Sequence, residues 1–129
     1  MINIDVKKLS NYPVSSVKVK KALQETLEKQ GLKSNAYISV AIVGEKKMME
    51  IAQTYLNEKN VVHNVLTFTS SETRGVFASP TNDITDLGEI IVCFTKAKEE
   101  ANVEGKLVED KVLELVEHGA KHLMGYHHE

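Results

Sequence analysis

Four of the five histidines fall in the last twelve residues, at His118, His122, His127 and His128. A spacing of four on a helix puts the His118 and His122 imidazoles on one face, about 5–6 Å apart at Cβ, close enough to share one zinc ion. Gly125 is expected to take the left-handed conformation that ends a helix, turning the chain so that His128 returns to the same ion. Three neutral imidazoles leave a fourth position open for a water of lowered pKa, the arrangement of catalytic zinc rather than structural zinc. One ion per chain is implied, zinc or another divalent transition metal. A His-x-x-x-His pair alone also suits helix-surface residues or C-terminal caps that complement the dipole. The turn glycine and third histidine favour the metal, with His127 the lesser candidate for the third position.

The same histidine spacing occurs in metzincin proteases, where the general-base Glu directly follows the first His. Here that position is Gly119, and Glu117 on the other side of His118 points about 100° away around the helix. Peptide hydrolysis thus lacks its base within the motif. Elsewhere, His63 stands at a strand entrance, where a cleft role competes with a plain surface one. Asp83 and Asp86 could orient a ligating imidazole, although turn chemistry explains them more simply. Glu89 lies in an apolar strand, where a carboxylate is costly unless paired or facing a cleft. Cys93 reads as a packed strand residue, and Met48 and Met49 as a helix core face.

These residues must be positioned by a chain of 129 residues, 42% hydrophobic and 26% charged, which suits one globular domain over 1–129. A single cysteine excludes a disulfide scaffold and favours a reducing, cytoplasmic setting. No signal-peptide pattern opens the chain, and the longest apolar run falls far short of the roughly 18 residues of a membrane span. Residues 1–60 carry 10 Lys against 6 acids, and residues 61–129 carry 6 Lys and Arg against 12 acids. A fold gathering the first half on one face would carry a basic patch; scattered solvated lysines explain the count equally well.

Periodicity predicts strands at 2–6, 37–43, 65–69 and 87–94, the last the most apolar and hence central. Helices are predicted over 15–30, stopped by Gly31, over 45–57, over 95–101, and from Val108 onward through both helical histidines. Residues 70–86 read as a loop. The pattern gives an α+β fold, a small mixed sheet of about four strands packed with helices, with a metal cleft at the C-terminal helix.

The segment His118-Gly119-x-x-His122-x-x-Gly125-Tyr126-x-His128 resembles the signature of the YbeY family, zinc-dependent single-strand endoribonucleases of bacterial rRNA maturation. Leu56-Asn57, His63-Asn64-Val65-Leu66-Thr67-Phe68 and Leu87-Gly88-Glu89-Ile90 are similar to the family's Leu-Asn, Thr-Asp-Val-Leu-Ser-Phe and Leu-Gly-Asp-Ile segments. The resemblance implies zinc on His118, His122 and His128, an acidic strand facing a positively charged RNA channel, and work at the 3′ end of small-subunit rRNA. It also implies single-stranded rRNA, small-subunit ribosomal proteins or an assembly GTPase as partners, and no membrane.

Departures from the pattern are informative. His127 replaces a usual Asp, Lys121 replaces an apolar residue, and the family's Arg after Leu-Asn has no counterpart, since Arg74 is the only Arg. Lys59 is the nearest cation there, a poorer match to phosphate than a guanidinium. His128, next to the terminus, is expected to hold a metal more loosely than its helical partners. With few aromatics, an RNA grip is expected to be electrostatic and weakened by salt. Two rivals remain: a non-catalytic ribosome-assembly factor whose metal only fixes the C-terminal turn, and a zinc hydrolase of another substrate.

Overall fold

The structure, a computed structural model, describes residues 1–69 and 84–125. The elements run β1 (Ile2–Lys8), α1 (Ser16–Lys29), β2 (Ala36–Val43), α2 (Glu45–Leu56), β3 (Val65–Phe68), β4 (Thr85–Cys93), α3 (Phe94–Glu104) and α4 (Val108–Met124). Together they form an α+β fold with one mixed sheet in the order β1-β2-β4-β3. β1, β2 and β4 are parallel neighbours, while β3 pairs antiparallel with β4 at the edge. The apolar 87–94 run is indeed central, although its last residue, Phe94, leaves the strand and starts α3, stacking on Tyr12 with ring centroids 4.6 Å apart.

Side-chain alternation divides the sheet into two differently covered faces. Ile38, Val40 and Ile42 of β2 join Ile90 and Val92 of β4 under α1 and α4, where Val19, Leu23, Val116 and Leu123 are fully buried. Ala41, Val43, Ile91 and Cys93 turn the other way and meet Met48 and Ile51 of α2. Cys93 is fully buried, and burial pushes its thiol pKa up, as befits a packing residue. Of the two methionines expected in the α2 core face, Met48 is buried and Met49 only half-buried.

A bulge sets the phase of β4. Tyr37 pairs with Asp86 but Ile38 pairs with Gly88, so Leu87 is the extra residue. Gly88 has φ 122°, and a Cβ there would lie 2.1 Å from the Phe68 carbonyl oxygen. Asp86 Oδ1 accepts from the Gly88 N–H at 3.1 Å, which is turn chemistry, as the simpler reading of Asp86 had it. After the bulge Ile90 and Val92 face α4, whereas Glu89, Ile91 and Cys93 face α2.

Long-range polar ties fix the helices. Ser15 caps α1 by accepting from the Lys18 N–H at 3.2 Å, and its own N–H donates to Glu109 Oε2 at 2.8 Å, joining the starts of α1 and α4. The Lys111 ammonium, buried to 6% exposure, donates to both oxygens of Glu104 and to Glu114, binding α3 to α4. The lysine-rich first half does not gather on one face. α1 and α2 cover opposite sides of the sheet, which divides their lysines, and Lys18 is already paired with Glu109 at 3.0 Å.

Two expectations follow. Gly88→Ala should cost at least ~2 kcal/mol in urea unfolding, since both its φ and the Phe68 carbonyl oppose a side chain. The Ser15 N–H and then Lys18 hold the Glu109 carboxyl below the usual range; Lys111 and then Lys106 do the same for Glu104, and Lys106 and then Lys111 for Glu114. A depressed carboxylate contributes fully above its unfolded pKa, about 4.3 for Glu, and that contribution is lost as pH falls through the folded value. Urea midpoints should be flat above about pH 5.5 and drop toward pH 3, and Glu109→Gln should shrink the drop.

Candidate metal centre

His118 and His122 stand exposed one turn apart near the C-terminal end of α4, and both line an open pocket of about 290 Å³. Its other described walls are Gly119 and the Val65, Leu66 and Thr67 stretch of β3. The pocket exists because α4 comes very close to the sheet. A Cβ on Gly119 would lie 2.9 Å from Ile90 Cγ2 and 3.1 Å from Thr67 Cγ2, so only glycine lets the helix rest there. The same contact explains why the protease base is missing: a Glu at 119 would drive its side chain into the sheet.

The two imidazoles suit a transition metal. They offer nitrogen donors from adjacent turns of one helix, they open onto a shared pocket, and they lie where the negative end of the α4 dipole favours a cation. Among the described residues no third His, Cys, Asp or Glu completes the group. His127 and His128, the candidates for the third position, lie outside the described residues, as do Asp83 and Arg74.

Gly125 differs from expectation. Its φ of −62° and ψ of −21° are right-handed, and its N–H donates to the Lys121 and His122 carbonyls. The helical path therefore continues through Gly125 instead of reversing there. Positive φ terminates other helices, at Asn57 (56°) after α2 and at Gly105 (68°) after α3.

Glu89 does not face the histidines. Its side chain, 7% exposed, lines a cavity of about 460 Å³ on the α2 side, with Ala41, Val43, Ile51, Tyr55 and Ile91. The bulge at Leu87-Gly88 is the reason, because it shifts the alternation by one residue. His63 is likewise not a wall of the histidine pocket; its Nε2 lies 2.6 Å from Glu58 Oε1, tying the segment after α2 to the entrance of β3. Lys59 is exposed in that same segment and Lys121 is exposed between the two histidines. Thr67 and Ile90, which shape the pocket, are not among the sequence-derived candidates. The strand alternation that pairs Val65 with Thr67 and Leu66 with Phe68 was the available signal for Thr67.

Comparison with known proteins gives the chain a family. A family model described as Endoribonuclease YbeY matches residues 3–129. The chain is 31% identical over 136 residues to Endoribonuclease YbeY of Dehalococcoides mccartyi strain CBDB1, covering 99% of this chain and 81% of the relative. It is 28% identical over 127 residues to the protein of that name from Thermobifida fusca, covering 98% and 81%. Among solved structures, TM1509 from Thermotoga maritima matches with TM-score 0.59 and 27% identity, covering 98% of this chain and 75% of that one.

Elemental analysis tests the pocket directly. The purified, tag-free chain should carry close to one transition-metal ion, and His118→Ala should bring that below about one tenth while circular dichroism stays unchanged.

Proposed function

The chain belongs to the Endoribonuclease YbeY family, and on that premise we propose that it hydrolyses single-stranded RNA at a metal held by His118, His122 and His128. The observation that carries the reading is the pair His118 and His122 opening onto one pocket against β3. In this reading the substrate is the 3′ end of small-subunit rRNA, met in the cytoplasm with small-subunit proteins or an assembly GTPase as partners. No described helix is long and apolar enough to cross a membrane.

When bound, zinc supplies Lewis acidity and lowers the pKa of a coordinated water. The chain's own part is to hold and aim. His118 and His122, one turn apart beside β3, would hold the ion, with His128 as the third ligand. Hydrolysis forms one P–O bond to water and breaks another in the RNA backbone. The backbone passes the exposed cations Lys121 and Lys59, whose contacts are electrostatic and screened by salt. The sheet under Gly119 leaves no room for the peptidase base, which weighs against a peptide substrate.

A labelled single-stranded oligoribonucleotide should be cut by the metal-loaded chain, more slowly as salt rises, and a panel of peptides should not. His122→Ala should reduce cutting to background with the fold kept. A parent protein that holds metal and a ribosomal partner but cuts nothing would establish the non-catalytic assembly reading instead.

A further inference from the structure

Thr67 lies in β3 on the side turned toward α4, in the same pocket as His118 and His122. Its Cγ2 methyl faces the backbone of Gly119, at 3.1 Å from where a Cβ would stand. In a β-branched side chain the two substituents turn together about χ1. Seating the methyl against α4 therefore also fixes the direction of the hydroxyl.

Valine would fill this position on a β-strand with no polar group to satisfy, and its neighbours Val65 and Ile90 are apolar. A hydroxyl is a costlier choice unless it is hydrogen-bonded. Among the described residues Thr67 Oγ1 has no partner, and it is not among the fully buried unsatisfied atoms, so it opens to the pocket. With both imidazoles committed to a metal, Thr67 is the remaining side-chain donor among the pocket's described walls. A phosphodiester offers two non-bridging oxygens, both acceptors.

We propose that Thr67 Oγ1 donates a hydrogen bond to a non-bridging oxygen of the phosphate seated at the histidines, orienting the scissile group beside the metal. This deepens the endoribonuclease reading of the pocket and rests on it.

Thr67→Val and Thr67→Ser, each in the zinc-loaded full chain, test the assignment. Affinity for inorganic phosphate is measured by calorimetry and cutting of single-stranded RNA by initial rates, with metal content and melting temperature as controls. Thr67→Val should keep its metal and fold yet bind phosphate about tenfold more weakly. Its kcat should fall at least as far, whereas Thr67→Ser should stay within about threefold of the parent on both measures. Equal phosphate affinity in Thr67→Val and parent overturns the assignment, as does loss of metal in Thr67→Val, or a parent that binds no phosphate. Should the parent cut no RNA while Thr67→Val still loses phosphate affinity, the Thr67 assignment stands and the endoribonuclease reading falls.

Discussion

The approach of α4 to the sheet at Gly119 is the constraint from which the site follows. With no side chain between them, the helix backbone settles over Ile90 and Thr67, and the flanking exposed residue, His118, is brought alongside the edge strand. His122 follows one turn later. A helix held even one methyl farther away would leave the histidines on open surface, without the β3 wall. Glycine normally weakens a helix interior by about 1 kcal/mol relative to alanine. At 119 that cost is offset by packing, because Val116, Ala120 and Leu123 around it are fully buried.

A second glycine decides what the other face of the sheet receives. Gly88 lets β4 bulge and lets the end of β3 lie against it, so Glu89 turns to α2 while Ile90 turns to α4. The carboxylate is thereby kept off the histidine side. Tyr37, partly buried near Asp5, Asp86 and Glu89, has its phenol pKa pushed up by burial and by these carboxylates. The acidic character of that side of β4 is thus felt locally, away from α4.

The fold was largely legible because each element carries a strong periodic signal. Val19, Leu23 and Leu27 recur at helical spacing and are all fully buried, and the β-branched run of β2 is buried on both faces of the sheet. The site was half legible. Spacing alone identified His118 and His122 as neighbours, since a helix fixes residues four apart. It could not supply the partner surface, because the contact of Gly119 with Thr67 and Ile90 joins residues about thirty to fifty positions apart in the chain. Which face of the sheet Glu89 takes was not legible, because strand alternation reverses at the Leu87-Gly88 bulge. Gly125 was misjudged because glycine permits left-handed φ without requiring it.

Charge illustrates how composition misleads when pairing is ignored. The second half of the chain is acidic, which by itself argues against a polyanionic substrate. Yet Glu100, Glu104 and Glu114 surround the buried Lys111, Lys106 adds to the group, and Glu109 is spent on Ser15 and Lys18. These pairs cluster at α3 and the first half of α4. Much of the acidic excess is therefore spent holding α1 and α3 against α4, which fixes the helix that carries the histidines. Lys121, exposed between His118 and His122, is a cation at the pocket end of the helix. A net charge of −2 therefore does not by itself argue against a polyanionic substrate, because several of the acids behind it are engaged in packing the helix that carries the histidines.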